Sequence, residues 1–209
     1  MILNKVINLS SYLFIRSRIA RYREIDGWLT RIEALGLFQC ASKLSDNSVV
    51  VEIGTWKGKS TYCIAKGLSS GKIYSVDPFD GSAEQESASE YAKKRGEIPL
   101  QKQFEDKMIE LDVINKITPM KGFSKDFVGK FPQIDFLFID GDHSIEGCEF
   151  DFVNYSPYLK IGGYIAFHDY YKDRDSLGPT WVVKNKVLKS SGFQFYKLYD
   201  SLWVGRRIS

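Results

Sequence analysis

The sequence predicts an α/β fold: a doubly wound, mostly parallel seven-stranded sheet with helices on both faces and an antiparallel last strand. Three observations carry that prediction. Dense β-branched or aromatic runs, Ser48–Ile53 and Ile134–Ile139, read as strands buried on both faces, as parallel sheets require. Segments with apolar residues at helical spacing alternate with such runs. Glycine and short polar residues collect directly after the strands, at Gly54–Gly58, Asp77–Gly81, Gly122–Asp126, Asp140–His143 and His168–Tyr170. That edge is where an open α/β sheet presents its ligand site.

Taken in order, residues 24–44 read as a helix, with Ile25, Trp28, Leu29, Ile32, Leu35, Leu37 and Leu44 recurring at roughly helical spacing. Strand 48–53 ends in a glycine, and Lys59–Leu68 is the next helix, stopped near Gly67 and Gly71. Lys72–Val76 is a strand ending at Asp77-Pro78. Residues 79–98 are polar, with Glu84–Arg95 expected as a surface helix and the whole stretch placed as a lid. Pro99–Leu111 reads as a helix carrying its proline in the first turn. Ile117–Met120 is a short strand and Ile134–Ile139 a buried one. A helix follows over 144–158, then a strand at Gly162–Phe167 and a helix at Pro179–Lys189. Phe193, Phe195, Lys197 and Tyr199, a turn at Asp200-Ser201, and Leu202–Gly205 read as a closing antiparallel pair.

The chain has 209 residues, 44% hydrophobic and 26% charged, with a net charge of +3. This is the composition of one globular domain with a short appendage. Lys5, Arg16, Arg18, Arg21 and Arg23 all precede the first acidic residue, Glu24. The basic character therefore sits in an arm, residues 1–23, ahead of a near-neutral body, residues 24–209. A nucleic-acid partner is not expected, because it calls for a basic stripe across the folded surface. No apolar run reaches the length of a membrane span, and the N-terminus lacks signal-peptide features. Cys40, Cys63 and Cys148 are odd in number and far apart, so neither a disulfide framework nor a structural zinc site is expected. A cytoplasmic location is the default. Val6, Leu9, Leu13, Phe14 and Ile19 could give the arm an apolar helix face. It would pack on the body or on a twin subunit in a homodimer, or lie on anionic lipid as a peripheral membrane contact.

The loop Glu52-Ile-Gly-Thr-Trp-Lys-Gly-Lys-Ser-Thr61 follows a strand and opens a helix. A phosphate-binding P-loop needs four residues between its first glycine and GK[ST], and only Thr55, Trp56 and Lys57 separate Gly54 from Gly58. A dinucleotide loop needs glycine where Trp56 stands. The better fit is a cofactor without phosphates that carries a positive charge and a ribose. Glu52 would lie below it and Asp77 would be placed to accept from the ribose hydroxyls. Gly54 allows the tight turn, and Gly58 allows close approach of a ligand or strand.

VVVEIGTWKGKSTYCIAKGL, YSVDPFDG and FLFIDGDHSIEGCEFDFVNYSPYLKIGGYIAFHDY together resemble the Rossmann-like class I S-adenosylmethionine-dependent methyltransferases. The similarity is to the branch with macrocin- and novobiocin-type sugar O-methyltransferases and cephalosporin-hydroxylase-like proteins, over about residues 28–205. The resemblance implies S-adenosylmethionine as cofactor, with Glu52, Gly54, Thr55 and Gly58 lining its methionine part and Asp77 holding the ribose. It also places the Gly122-Phe123-Ser124 turn beside the adenine. Ser60, Phe79 and Asp140 complete the candidate cofactor contacts.

Methyl transfer to a hydroxyl needs in-line alignment and removal of a proton, by a general base, by a cation that lowers the hydroxyl pKa, or by both. Asp140, Asp142, His143, His168 and Asp169 fall at the ends of two strands expected to be neighbours. Asp140, His168 and Asp169 form the economical metal set. Two carboxylates and an imidazole suit Mg²⁺ poorly and Mn²⁺, Fe²⁺ or Zn²⁺ somewhat better. In the resembling sugar methyltransferases those three positions are acidic and bind Mg²⁺, so His168 departs from the pattern. The position matching Asp142 is the proposed base there. Asp142 or His143 is expected to deprotonate the acceptor, a small molecule such as a sugar or glycan intermediate. Tyr170, Tyr171, Lys172, Arg174 and Trp181 are placed to line its pocket. A nucleotide-dependent enzyme on the same fold and a non-catalytic cofactor-binding partner subunit are the alternatives.

Overall fold

The computed structural model describes residues 17–81 and 88–209. The strands are β1 Ser48–Ile53, β2 Gly71–Asp77, β3 Ile117–Lys121, β4 Ile134–Ile139, β5 Leu159–Phe167, β6 Phe193–Tyr199 and β7 Leu202–Arg207. They form one seven-stranded sheet in the order β3-β2-β1-β4-β5-β7-β6. Strands β1 to β5 pair in parallel, and β7 runs antiparallel to both of its neighbours. The order reverses between β1 and β4, which is the topological switch point.

The described helices are α1 Arg31–Ala41, α2 Lys59–Gly67, α3 Ala88–Arg95, α4 Leu100–Glu110, α5 Ile145–Tyr155 and α6 Gly178–Val182. Strand alternation sorts the core into two layers. Phe136 and Phe138 of β4 face Leu37, Ile64, Phe104 and Met108 from α1, α2 and α4. Leu137 and Ile139 face the other way, toward Cys148, Phe152 and Val182 from α5 and α6. A two-residue side-chain period on a strand buried on both faces produces this division. All three cysteines are buried and free, and burial pushes each thiol up from its ordinary value, Cys40 to about 12.

Some boundaries differ from expectation. The helix expected over 24–44 runs only from Arg31 to Ala41, because Thr30 caps it. The Thr30 hydroxyl accepts from the Glu33 N–H at 3.2 Å, and the Glu33 carboxylate accepts from the Thr30 N–H at 2.7 Å, a reciprocal capping box. Before it, Ala20–Glu24 forms a 3-10 turn whose Tyr22 is buried, as are Ile19 and Ile25 on either side. The packed body thus reaches back to Ile19, inside the segment read as the arm. Residues 1–16, with Val6, Leu9, Leu13 and Phe14, lie outside the described residues, as do Glu84–Ser87 of the expected lid helix. Strand β5 starts at Leu159 rather than Gly162, since Leu159 already pairs with Ile134, and the register shift before Phe136 absorbs Gly162 at φ +84°. Helix α5 ends at Tyr155, ahead of Pro157. Helix α6 passes into a π-helical turn, Val183–Val187. No helix among the described residues is long and apolar enough to cross a membrane.

Parallel register brings the strand ends level. Ile53 pairs with Val76 and with Ile139, and Ile139 pairs with Phe167. The ladder continues one residue further. Gly54 donates to the Val76 carbonyl at 2.9 Å, Asp140 to Ile53 at 2.8 Å and His168 to Ile139 at 3.1 Å. Gly54, Asp77, Asp140 and His168 therefore emerge along one edge of the sheet.

Candidate active site

A cavity of about 1050 Å³ opens over that edge. Drug-sized ligands occupy roughly 300–1,000 Å³, so it has room for a nucleoside and a second small molecule. Gly54, Thr55, Ser60, Asp77, Gly122 and Ser124 line one part of it, and Asp140, Asp142, His143, His168 and Asp169 another.

The glycine loop is held from beneath and from the side. Gly54 has φ +85°, and a Cβ there would lie 1.9 Å from the Asp140 carbonyl oxygen, so strand β4 forbids any side chain. Asp77 Oδ2 accepts from the Thr55 and Trp56 N–H groups, each at 2.8 Å, and its Oδ1 accepts from the Phe79 N–H at 2.6 Å. Burial pushes the Asp77 carboxyl up, and those three N–H donors pull it back. Asp77 thus shapes the loop before it meets any ligand, with one side left toward the cavity. Trp56 stands in the left-handed region at φ 51° and lines the cavity with its ring against Trp28.

Three expected cofactor contacts sit elsewhere. Glu52 is fully buried one layer below the cavity, where its carboxylate accepts from Ser60 Oγ at 2.6 Å, Thr61 Oγ1 at 2.5 Å, Ser75 Oγ at 3.1 Å and Thr55 Oγ1 at 3.3 Å. It braces the loop instead of lining the ligand. Burial raises its pKa to about 7 against the pull of the hydroxyl donors. Gly58 is needed for helix packing: at φ +87°, a Cβ would meet the Phe104 ring at 2.7 Å and Met108 at 2.8 Å. Phe79 is buried against Phe104, ring centroids 5.4 Å apart.

The acidic cluster also resolves differently from expectation. His168 is buried with both ring nitrogens facing carboxylates. Nδ1 lies 3.0 Å from Asp140 Oδ1 and 3.3 Å from Asp169 Oδ2, and Nε2 lies 3.3 Å from Glu33 Oε2. Burial lowers the His168 pKa, but the Asp140, Asp169 and Glu33 carboxylates overcome it and hold the value well above 6.5. For Glu33 and Asp169, burial opposes ionisation, yet the His168 contacts and further donors bring both to about 2. These donors include Ser201 for Glu33 and Tyr171 for Asp169. Both ring nitrogens of His168 are thus already engaged by carboxylates, and the expected set Asp140, His168, Asp169 is not the one whose ligand atoms the structure groups.

His143 stands beside the other two acids instead. Its Nε2 stands 3.3 Å from Asp169 Oδ2 and 3.7 Å from Asp140 Oδ1. Among the described residues, Asp140, His143 and Asp169 are the group whose ligand atoms lie within 4.8 Å of one another. Asp142 lines the cavity but lies outside this group: its Oδ1 accepts from the Ser144 N–H at 2.8 Å, and a Cβ on Gly147 would lie 2.3 Å from its carboxyl carbon. Of the two base candidates, His143 is the one that the fold brings to the cluster.

Sequence reasoning missed Glu33, Trp28 and Asp151, all of which line the cavity. Thr30-x-x-Glu33 is a readable capping-box signal, but a helix begun at residue 24 hides it. Trp28 packs at 5.8 Å from Trp56 and donates through Nε1 to Glu90 at 3.1 Å, giving the cavity an aromatic wall with a charged edge. Nothing local marks Asp151.

A 3-2-1-4-5-7-6 sheet with a glycine loop pinned by the acid after β2 and an acid–imidazole cluster after β4 and β5 defines a Rossmann-like methyltransferase-type domain. The chain belongs to the family described as "Methyltransferase domain", whose model matches residues 51–170. Among solved structures it is similar to the O-methyltransferase NovP, at 13% identity, covering 96% of this chain and 99% of that one, with a TM-score of 0.67. It is also similar to the O-methyltransferase TomG of Streptomyces achromogenes in complex with SAM, at 16% identity, covering 100% and 93%, with a TM-score of 0.62. A curated relative, the uncharacterized protein R132 of Acanthamoeba polyphaga mimivirus, is 28% identical over 131 residues, 60% of this chain. The match takes in 52% of that relative, so the chain spans about half its length.

Proposed function

We propose that this protein is an S-adenosylmethionine-dependent O-methyltransferase acting on a small-molecule hydroxyl. The observation that carries the reading is the sharing of one cavity by two unlike halves. One is the loop Gly54–Trp56 pinned by Asp77; the other is the cluster Asp140, His143 and Asp169. The loop excludes phosphates and offers a carboxylate toward a ribose. The cofactor, when bound, supplies an electrophilic methyl group on a sulfonium.

The chain's own groups supply the rest. His143 receives the acceptor's hydroxyl proton, while Asp140 and Asp169 orient its ring and stabilise the positive charge that develops on it. As an alternative that excludes the base role, since a metal-bound imidazole has no nitrogen left to take a proton, Asp140, His143 and Asp169 fit a divalent cation, and two carboxylates with one imidazole suit Mn²⁺, Fe²⁺ or Zn²⁺ better than Mg²⁺. Such a cation would lower the hydroxyl pKa. Trp28, Trp56 and Tyr171 offer aromatic faces with Glu90 and Lys59 at their edges, which suits a sugar or glycan intermediate.

Calorimetry with S-adenosylmethionine against NAD and ATP tests the cofactor. Binding of NAD or ATP but not S-adenosylmethionine overturns the reading. Turnover on a panel of sugars and sugar nucleotides, with and without a chelator, then tests the acceptor and the cation.

A further inference from the structure

The charge around the cavity is one-sided. Eight carboxylate side chains and two lysines line it, and among the described residues no arginine does. Four of the acids, Glu33, Asp140, Asp142 and Asp169, stand at the end that carries the cluster. The His143 and His168 imidazoles lie among them at nitrogen–oxygen distances of 3.0 to 3.7 Å. Four carboxylates outnumber two imidazoles even when both are charged. The lysines offset none of this there. Lys59 Nζ donates to the Gly27 carbonyl at 2.8 Å beside the glycine loop, and Lys125 follows β3, on the far side of β1 and β2 from the cluster.

Bound anions are met by Arg, Lys or clustered N–H donors. The N–H groups nearest the site are already given to the chain's own oxygens. Thr55 and Trp56 donate to Asp77. At the start of α5, beside the cluster, Ser144 donates to Asp142 Oδ1 and Gly147 to Ser144 Oγ. The aromatic wall shows independently which charge it favours. Lys94 Nζ lies 4.1 Å from the Trp28 ring centroid, 3.3 Å from Glu90 and 3.6 Å from Asp26. An aromatic face flanked by carboxylates draws an ammonium and repels an anion.

We propose that the acceptor carries no negative charge: a neutral or amino-bearing small molecule whose hydroxyl is methylated, to the exclusion of phosphorylated, carboxylated and nucleotide-linked hydroxyls. This rests on the S-adenosylmethionine reading above. The test incubates the full chain with methyl-labelled S-adenosylmethionine and a small-molecule extract split on an anion exchanger into flow-through and retained fractions. Label should enter compounds of the flow-through, which holds the neutral and cationic ones. The KM of that acceptor should stay level or rise with added salt, because screening weakens an attraction and relieves a repulsion. Phosphorylating it away from the methylated hydroxyl should lower kcat/KM by about a hundredfold or more, as like charges forced together do. Label mainly in retained compounds, a KM that falls with salt, or an unchanged kcat/KM for the phosphorylated acceptor overturns the proposal while the O-methyltransferase reading stands. Label in neither fraction, from a chain that binds S-adenosylmethionine in calorimetry, overturns the methyl-transfer reading and the proposal with it.

Discussion

The His168 imidazole meets the Glu33 carboxylate at 3.3 Å across 135 positions of sequence, joining the first turn of α1 to the end of β5. Glu33 completes that site with two more acceptances, from the Ser201 N–H at 3.0 Å and Oγ at 2.7 Å. The result is a buried, fully engaged ion pair that fixes the back wall of the cavity.

Removing one partner of such a pair leaves a buried charge uncompensated. Glu33→Gln keeps the shape and the Thr30 cap but loses the negative charge opposite His168. Its stability should fall by about 3 kcal/mol. Denaturant unfolding at neutral pH measures this, and a loss below about 1 kcal/mol would mean that His168 is neutral in the fold.

Glu52 should give a pH signature. Its folded pKa, about 7, lies above the ordinary 4.5, so the folded state holds the proton more tightly. Stability from this group is therefore full below pH 4.5, declines as pH rises to about 7, and stays low above it. The wild type should lose on the order of 3 kcal/mol relative to Glu52→Gln across that window. Parallel unfolding series of the two proteins between pH 4.5 and 8 test it; a constant difference contradicts it.

Gly54→Ala places a methyl group at the Asp140 carbonyl and forces alanine into the left-handed region. The backbone term alone is about 1–2 kcal/mol, and the clash shifts the loop. Both a lower melting temperature and loss of measurable S-adenosylhomocysteine binding are expected. Unimpaired binding would show that the loop's exact path is dispensable.

His143 and Asp142 should separate in kinetics. His143→Ala is expected to reduce kcat by about a hundredfold or more while cofactor affinity is retained, the loss typical of a removed base. Asp142→Asn keeps the turn acceptor for Ser144 and should leave kcat unchanged. A large kcat loss in Asp142→Asn with normal His143→Ala turnover would reverse the assignment.

The parts legible in the sequence were those set by short-range pattern. A β-branched run ending at Gly54 marked β1 and an apolar, aromatic run marked β4, and the parallel register they imply put Gly54, Asp77, Asp140 and His168 on one edge. Near-neighbour contacts that depend on turn geometry were not legible. Asp142 and His143 are adjacent in sequence, yet one bends back onto the Ser144 N–H while the other points to Asp169. Glu52 reads as a ligand contact from its place at a strand end, but alternation turns it into the layer where Ser60, Thr61 and Ser75 cover it.

By itself the sequence determined the α/β class, the seven strands and the edge that carries the chemistry, because periodicity and glycine placement are local properties. Tertiary structure alone decided which groups converge. It set His168 between Glu33 and Asp140, brought His143 beside Asp140 and Asp169, and turned Asp151 from a helix into the cavity. Those outcomes depend on how α1 and α5 are rotated against the sheet, and that rotation is set by packing between residues far apart in the chain.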